Sequence, residues 1–271
     1  MLVERISKVK VIQLSDIHLT AEDNASLYGI NPYYRLEEAL KSIYVHHSDA
    51  DFITITGDLT DSASSKAYAI LKDMLDKNEL PIYPILGNHD KRDIFANYFP
   101  NLFNDGFVQY VKKIDANVHI FLDTLVEDQS YGELCLNRLN WLEDRLKEYQ
   151  QEPIYLYMHH HPIDSGLYEM DNNANFRSKK EFWDLLKNYK NVKHISFGHL
   201  HRIMHSQKCN ISLHSTRSTS FQVAYQQESK VEYLTNEEQP TYAVIEMIEE
   251  ENTRIHHHEF MNEDRFYLGD C

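Results

Sequence analysis

The chain has 271 residues, 42% hydrophobic and 25% charged, a balance that suits a soluble globular protein with a sizeable buried core. Its 27 basic and 42 acidic side chains leave a formal net charge of −15, which argues against bulk binding to nucleic acid or to anionic membranes. Three cysteines without C-x-x-C spacing argue against a disulfide framework and, with no secretory segment or membrane-length apolar run, point to a protein of the reducing cytoplasm.

The first elements alternate strand and helix. Val9–Leu14 is a β-branched apolar run, read as a buried strand, and Asp16-Ile17-His18 follows it. Asn31-Pro32 opens a helix whose apolar residues Leu36, Ala39, Leu40 and Ile43 recur at helical spacing through His46. Phe52–Thr56 is a second strand, delivering Gly57-Asp58, and a helix is expected over Ser62–Leu75. Ile82–Leu86 is a third strand, ending in Gly87-Asn88-His89-Asp90. This rhythm predicts right-handed β-α-β units with largely parallel pairing.

Two adjacent strands are expected next, Phe107–Lys112 and Val118–Leu122, then an amphipathic helix over Leu136–Tyr149. Ile154–Met158 leads into His159-His160-His161-Pro162. A helix over Lys179–Tyr189 precedes Val192–Phe197, which delivers Gly198-His199-Leu200-His201. Ile203–Ser206, Ile211–Leu213, Phe221–Ala224, Tyr242–Met247 and Thr253–His258 read as short strands, and Glu249–Glu251 as a turn. The last third is thus expected to be mostly antiparallel β. The motifs fall on both sides of the midline, so residues 1–271 are expected to pack as one domain.

Five motifs, each directly after an apolar run, place polar side chains where strand ends aim them into a common cup. Asp16, His18, Asp58, Asn88, His159, His199 and His201 suffice for two adjacent metal ions if one carboxylate bridges them. Imidazole, carboxylate and amide ligands suit Fe, Mn or Zn; calcium would want oxygen alone, and no cysteine lies near a motif. Two metals side by side are a device for attacking phosphate esters. Glycines before Asp58, Asn88 and His199 leave room for sharp turns beside the ions. Away from the motifs, His46, His47, His119, His194, His205 and His214 read as surface or satisfied core residues, and His256-His257-His258 as a solvated strand end.

The five motifs in this order resemble those of the calcineurin-like metallophosphoesterases, and within them the bacterial class III 3',5'-cyclic AMP phosphodiesterases. Leu27-Tyr28-Gly29-Ile30-Asn31, Tyr131-Gly132-Glu133-Leu134, Asn140-Trp141-Leu142-Glu143, the triple histidine and the Ser/Thr-rich run Ser215–Phe221 extend the likeness over residues 9–225. The resemblance implies an α/β fold, a four-layer α/β/β/α sandwich with mixed sheets. It implies that Asp16, His18 and His201 hold one divalent ion, that Asn88, His159 and His199 hold the other, and that Asp58 bridges them; His160 is the alternative to His159. His89 would touch the phosphate and protonate the leaving oxygen, with His18, Asn88 and His201 also facing the substrate. Asp61 and Asp90 are candidates to stand behind these residues; Asp61 would orient His89 or else cap the following helix.

The implied reaction is hydrolysis of cyclic AMP to 5'-AMP by hydroxide shared between the ions. The alternative is another small phosphodiester, such as a glycerophosphodiester, and the non-enzymatic alternative is a catalytically inert metal-binding or interaction scaffold. The expected partner is a small cyclic nucleotide, with no nucleic acid or membrane, on a monomer or homodimer. The pocket walls are expected in Ser26–Pro32, Pro162–Asn175 and Ser215–Phe221.

Overall fold

The computed structural model describes residues 9–23, 25–228, 235–236, 238–249 and 252–261. The first half runs β1 (Val9–Leu14), α1 (Pro32–His47), β2 (Phe52–Thr56), α2 (Ser65–Asp76), β3 (Ile82–Ile85) and the short α3 (Arg92–Ala96). It continues with β4 (Tyr110–Ile114), β5 (Asn117–Phe121), α4 (Leu136–Glu148), β6 (Ile154–Tyr157), the short α5 (Tyr168–Asn172), α6 (Lys179–Leu186) and β7 (Val192–Phe197). The remaining strands are β8 (Met204–Lys208), β9 (Ile211–Ser215), β10 (Gln222–Val223), β11 (Thr235–Asn236), β12 (Thr241–Glu249) and β13 (Asn252–Glu259). Cys135 and Cys209 are free thiols. Of the expected turn Glu249–Glu251, residues 250 and 251 lie outside the described residues.

Two mixed sheets form, ordered β13-β12-β1-β2-β3 and β4-β5-β6-β7-β9-β8. The pairs β1–β2 and β2–β3 are parallel, as the strand–helix rhythm of the first elements predicts, and β5–β6 and β6–β7 are parallel too. β9 also pairs with β7 in parallel, a departure from the antiparallel reading of this stretch. The period-two alternation of each strand shows how the layers stack. Ile12 and Leu14 of β1 pack with Leu36, Ile43 and Leu71 of the flanking helices. Val9 and Val11 instead join Phe121, Tyr155 and Tyr157 between the sheets. In the second sheet, Ile120 and Leu156 turn outward to Leu142, Leu146 and Phe182. The result is the four-layer α/β/β/α sandwich.

Several boundaries differ from those expected, two of them for clear local reasons. α2 begins at Ser65 rather than Ser62, because Ala63 has a left-handed backbone (φ 51°) and the Ser64 hydroxyl accepts the Ala67 N–H as the cap. β4 begins at Tyr110, because Asn104 and Phe107 close a turn and the Val108 N–H donates to Asp123. The expected Phe221–Ala224 strand shrinks to Gln222–Val223.

Histidines populate the layer between the sheets. His119 is fully buried and shares a hydrogen bond with the Tyr157 hydroxyl (3.0 Å). His194 and His214 share another at 2.8 Å, and His257 reaches across from β13 with its ring 6.0 Å from that of His214. His258, on the opposite face of β13, stacks on Tyr242 and meets His47 of α1 rather than lying free at a strand end. Burial pushes His119 and His194 down to about 3. The unfolded chain therefore takes up protons that the folded chain refuses below about pH 6.5, so the stability from these neutral imidazoles is present above that pH and lost as pH falls toward 3. Each such group contributes a slope of about 1.4 kcal/mol per pH unit in this window. Denaturant titrations of metal-stripped protein between pH 6 and 4 should show stability falling with acid, and His119→Gln should flatten the slope by about one such increment.

Candidate metal centre

The centre is built from loops at the carboxyl ends of β1, β2, β3, β6 and β7. These loops continue the parallel pairing beyond the strands: Asp16 N–H donates to the Gly57 carbonyl (3.1 Å) and His18 N–H to the Asp58 carbonyl (2.9 Å). Asp16, His18, Asp58, His199 and His201 all have left-handed backbone, with φ between 48° and 70°. Aspartate and histidine are among the few non-glycine residues that tolerate this region, and clustered strain of this kind marks functional sites.

Buried hydrogen bonds hold the strained loops. Asp90 accepts from Gly87 N–H (2.9 Å), Leu59 N–H (3.1 Å), Thr60 N–H (3.2 Å), the Thr60 hydroxyl (3.3 Å) and the Tyr68 hydroxyl (2.7 Å), tying the loop after β2 to the loop after β3. Asp16 accepts the His199 N–H at 3.0 Å, joining the first motif to the last. The Ser218 hydroxyl donates to the Asp16 carbonyl (2.7 Å), and Thr219 N–H to that of Ser15 (2.9 Å). The Ser/Thr-rich run thus buttresses the first motif from beneath; of Ser215–Phe221 only Phe221 lines the pocket.

All seven predicted ligand side chains meet here, in two groups joined by Asp58. In one, ligand atoms of Asp16, His18, Asp58 and His201 lie within 4.8 Å of one another. In the other, ligand atoms of His159, His160 and His199 come equally close, with Asn88 Oδ1 at 3.1 Å from His159 Nε2. Asp58 divides its oxygens, Oδ2 at 3.5 Å from His18 Nε2 and Oδ1 at 3.5 Å from His159 Nε2. That is the disposition a bridging carboxylate needs.

Backbone carbonyls select the free nitrogen of three rings. His159 Nδ1–H donates to Thr56 (2.8 Å), His201 Nδ1–H to Phe221 (2.7 Å) and His199 Nε2–H to Ala174 (2.8 Å). Each ring is left with one lone pair for a cation, as metal-binding histidines require. His160 shares its Nδ1 with the Thr124 hydroxyl (2.8 Å), and its Nε2 is buried without a hydrogen-bond partner beside His159 and His199. The contacts to Asn88 and Asp58 belong to His159.

The local field matches a cation. Burial alone would raise the Asp58 carboxyl, but the surrounding His159, His89 and His18 rings hold it well below the usual carboxylate range. Burial works against charge on His159 too, yet Asp58 lifts it to about 9, so the cup attracts positive charge to this ring. Burial keeps His199 well below its ordinary value and His201 down to about 4, the neutral form that binds metal. The residues present therefore fit a pair of divalent ions.

His89 stands at the rim. Its N–H donates to Asp58 Oδ1 (2.9 Å), its ring packs edge-on against His18 (4.6 Å), and its Nδ1 faces the Asp61 carbonyl (2.8 Å). Asp61 differs here from the sequence reading. Its backbone carbonyl, not its carboxylate, orients His89; the carboxylate faces His18 Nδ1 at 3.5 Å, and Ser64 caps the helix. The cavity above the cup, about 270 Å³, is walled by Tyr28, Met170, Ala174 and Phe221, as the expected segments allow. Ser130 and Val223 also line it and carried no signal in the sequence.

Facing mixed sheets with a two-cation cup at their strand ends define a metal-dependent phosphoesterase. The chain belongs to the calcineurin-like phosphoesterase family, whose model matches residues 9–202. It is 34% identical over 258 residues, 93% of each chain, to a probable cyclic nucleotide phosphodiesterase of Rhodopseudomonas palustris. It is 28% identical to the 3',5'-cyclic adenosine monophosphate phosphodiesterase CpdA of Escherichia coli, over 72% of this chain and 70% of that one. A probable glycerophosphodiester phosphodiesterase GpdQ of Arcobacter nitrofigilis is 27% identical over 91% of each. A dimetal phosphatase from Danio rerio shares the fold, with TM-score 0.65 at 12% identity over 92% of this chain and 98% of that one. The protein is thus a metal-dependent phosphodiesterase of this family. Among the described residues no helix is long and apolar enough to cross a membrane.

The close packing of the loops yields a prediction. A Cβ on Gly87 would run into the Asp58 side chain and the Asp58 backbone nitrogen. Gly87→Ala should displace the shared carboxylate and lower metal affinity roughly 10- to 100-fold, measured by equilibrium dialysis with Mn²⁺.

Proposed function

We propose that the protein hydrolyses 3',5'-cyclic AMP to 5'-AMP, acting as one domain in the cytoplasm on a small-molecule substrate. The observation that carries this reading is the division of the Asp58 carboxylate between His18 and His159, beneath a pocket that holds His89. The Rhodopseudomonas palustris and Escherichia coli relatives support the cyclic nucleotide as substrate.

In this reading Asp16, His18 and His201 would hold one ion, Asn88, His159 and His199 the other, and Asp58 both. Fe and Mn are the proposed metals, with Zn also suited to the donors. When bound, the pair supplies Lewis-acid charge and lowers the pKa of water toward neutrality. The chain's own residues do the rest. The Asn88 amide and the His18 and His201 rings face the phosphate. His89 lines the cavity and is anchored through Nδ1 to the Asp61 carbonyl, which leaves Nε2 free to meet the substrate. Burial opposes charge on His89, but Asp58 and the Asp61 carbonyl outweigh it and raise the ring above its ordinary value, the direction a proton donor needs. His89 would give a proton to the departing 3'-oxygen as a water oxygen bonds to phosphorus and the P–O3' bond breaks, opening the cyclic ester to 5'-AMP. Among the described residues lining the pocket there is no lysine or arginine, which suits a singly charged diester better than a doubly charged monoester.

His89→Ala should retain both ions by elemental analysis and lose turnover by about 10²- to 10⁴-fold; full turnover would remove His89 from the proton transfer. Asp58→Ala should lose metal and activity together, and a metal-replete Asp58→Ala protein would contradict the bridging assignment. The substrate is tested with Mn-loaded enzyme on cyclic AMP, cyclic GMP, glycerophosphoethanolamine and an aryl phosphodiester. The proposal expects the highest kcat/KM on cyclic AMP, and a preference for glycerophosphoethanolamine would replace it with the glycerophosphodiester reading.

A further inference from the structure

We propose that Tyr28 is a specificity-determining residue, its ring forming the platform on which the nucleobase of the substrate stacks. The inference rests on the cyclic nucleotide reading above and adds to it the side of the cavity that takes the base.

Tyr28 lies at the tip of a tight turn closed by two hydrogen bonds, Leu27 N–H to the Ile30 carbonyl (2.8 Å) and Ile30 N–H to the Leu27 carbonyl (3.0 Å). Both tip residues have positive φ, 53° at Tyr28 and 82° at Gly29. Glycine, asparagine and aspartate are the residues that suit such a tip, and a bulky aromatic there is an outlier. The strain is not offset by burial, since Tyr28 is 67% exposed. An exposed aromatic in a strained position beside a catalytic cup has the character of a binding residue.

The position of the ring supports this. Tyr28 packs edge-on against Phe221 (4.8 Å between centroids), and Phe221 in turn packs on His18 (4.9 Å) and His201 (4.6 Å). A continuous aromatic wall thus rises from the Asp16–His18–His201 side of the cup to the mouth of the cavity. Met170 and Ala174 line the same cavity, Ala174 with its carbonyl on His199 Nε2 (2.8 Å). A flat neutral ring carried by the phosphate through a ribose can reach the Tyr28 face, whereas a short polar alkyl group has nothing there to pair with. Stacking is tolerant of base identity, so this wall selects for a base and does not by itself separate adenine from guanine.

The test compares Mn-loaded wild type, Tyr28→Asn and Tyr28→Phe. Asparagine suits the left-handed tip, so Tyr28→Asn removes the ring while favouring the turn, and its Tm should equal or exceed that of the wild type. The ratio of kcat/KM for cyclic AMP over that for glycerophosphoethanolamine should fall roughly tenfold in Tyr28→Asn, through KM rather than kcat, and recover in Tyr28→Phe. An unaltered ratio in Tyr28→Asn would overturn the proposal. Should the wild type cleave only the alkyl diester, the cyclic nucleotide reading fails, and the platform is judged separately. In that case adenosine 5'-phosphate should inhibit better than ribose 5-phosphate in the wild type and lose that advantage in Tyr28→Asn. Equal inhibition by the two in the wild type would overturn it.

Discussion

One carboxylate joins the two halves of this molecule chemically. Asp58 emerges from the first sheet and points one oxygen at His18, its neighbour from β1, and the other at His159, delivered by the second sheet. Two cations can share a site only if negative charge lies between them, and a buried carboxylate is stable only among groups that favour its ionised form. The histidine rings provide that here. Everything else in the fold can be understood as what is needed to keep Asp58, and the rings on either side of it, at this meeting point.

The requirement is costly for the backbone. Five of the proposed ligands lie in left-handed conformation, in loops too tight for extended chain. The compensation is a set of buried hydrogen bonds that no ligand makes alone. Asp90 gathers five donors from three segments. Gln13, buried between the sheets, donates to Thr56 (2.9 Å) and to the Phe197 carbonyl (3.0 Å), linking the strand ends of both. Two facing sheets, each covered by helices, give these loops a rigid base from both sides. The same economy explains the neutral histidines between the sheets, which pack against aromatic rings and stay uncharged at neutral pH.

Much of this was legible in the sequence, for identifiable reasons. β1 and β2 match the expected limits because short β-branched runs flanked by polar motifs have few alternatives. The gathering of all seven side chains could be anticipated because strand ends of parallel units converge. The unreadable part is backbone. The carbonyls of Thr56, Ala174 and Phe221, which choose the free nitrogen of each ring, carry no residue-type signal. Nor does the swap in which Asp61 orients His89 with its main chain and meets His18 with its side chain. The short helices α3 and α5 were invisible for want of periodicity, and the parallel pairing of β9 with β7 depends on tertiary contacts alone.

The central claim is that two ions lie side by side on residue 58. Anomalous difference maps from crystals soaked in Mn²⁺ test it most directly. Two peaks about 3.5–4 Å apart, each contacted by one oxygen of Asp58, are predicted. A single peak, or two peaks with Asp58 on only one of them, would contradict the account.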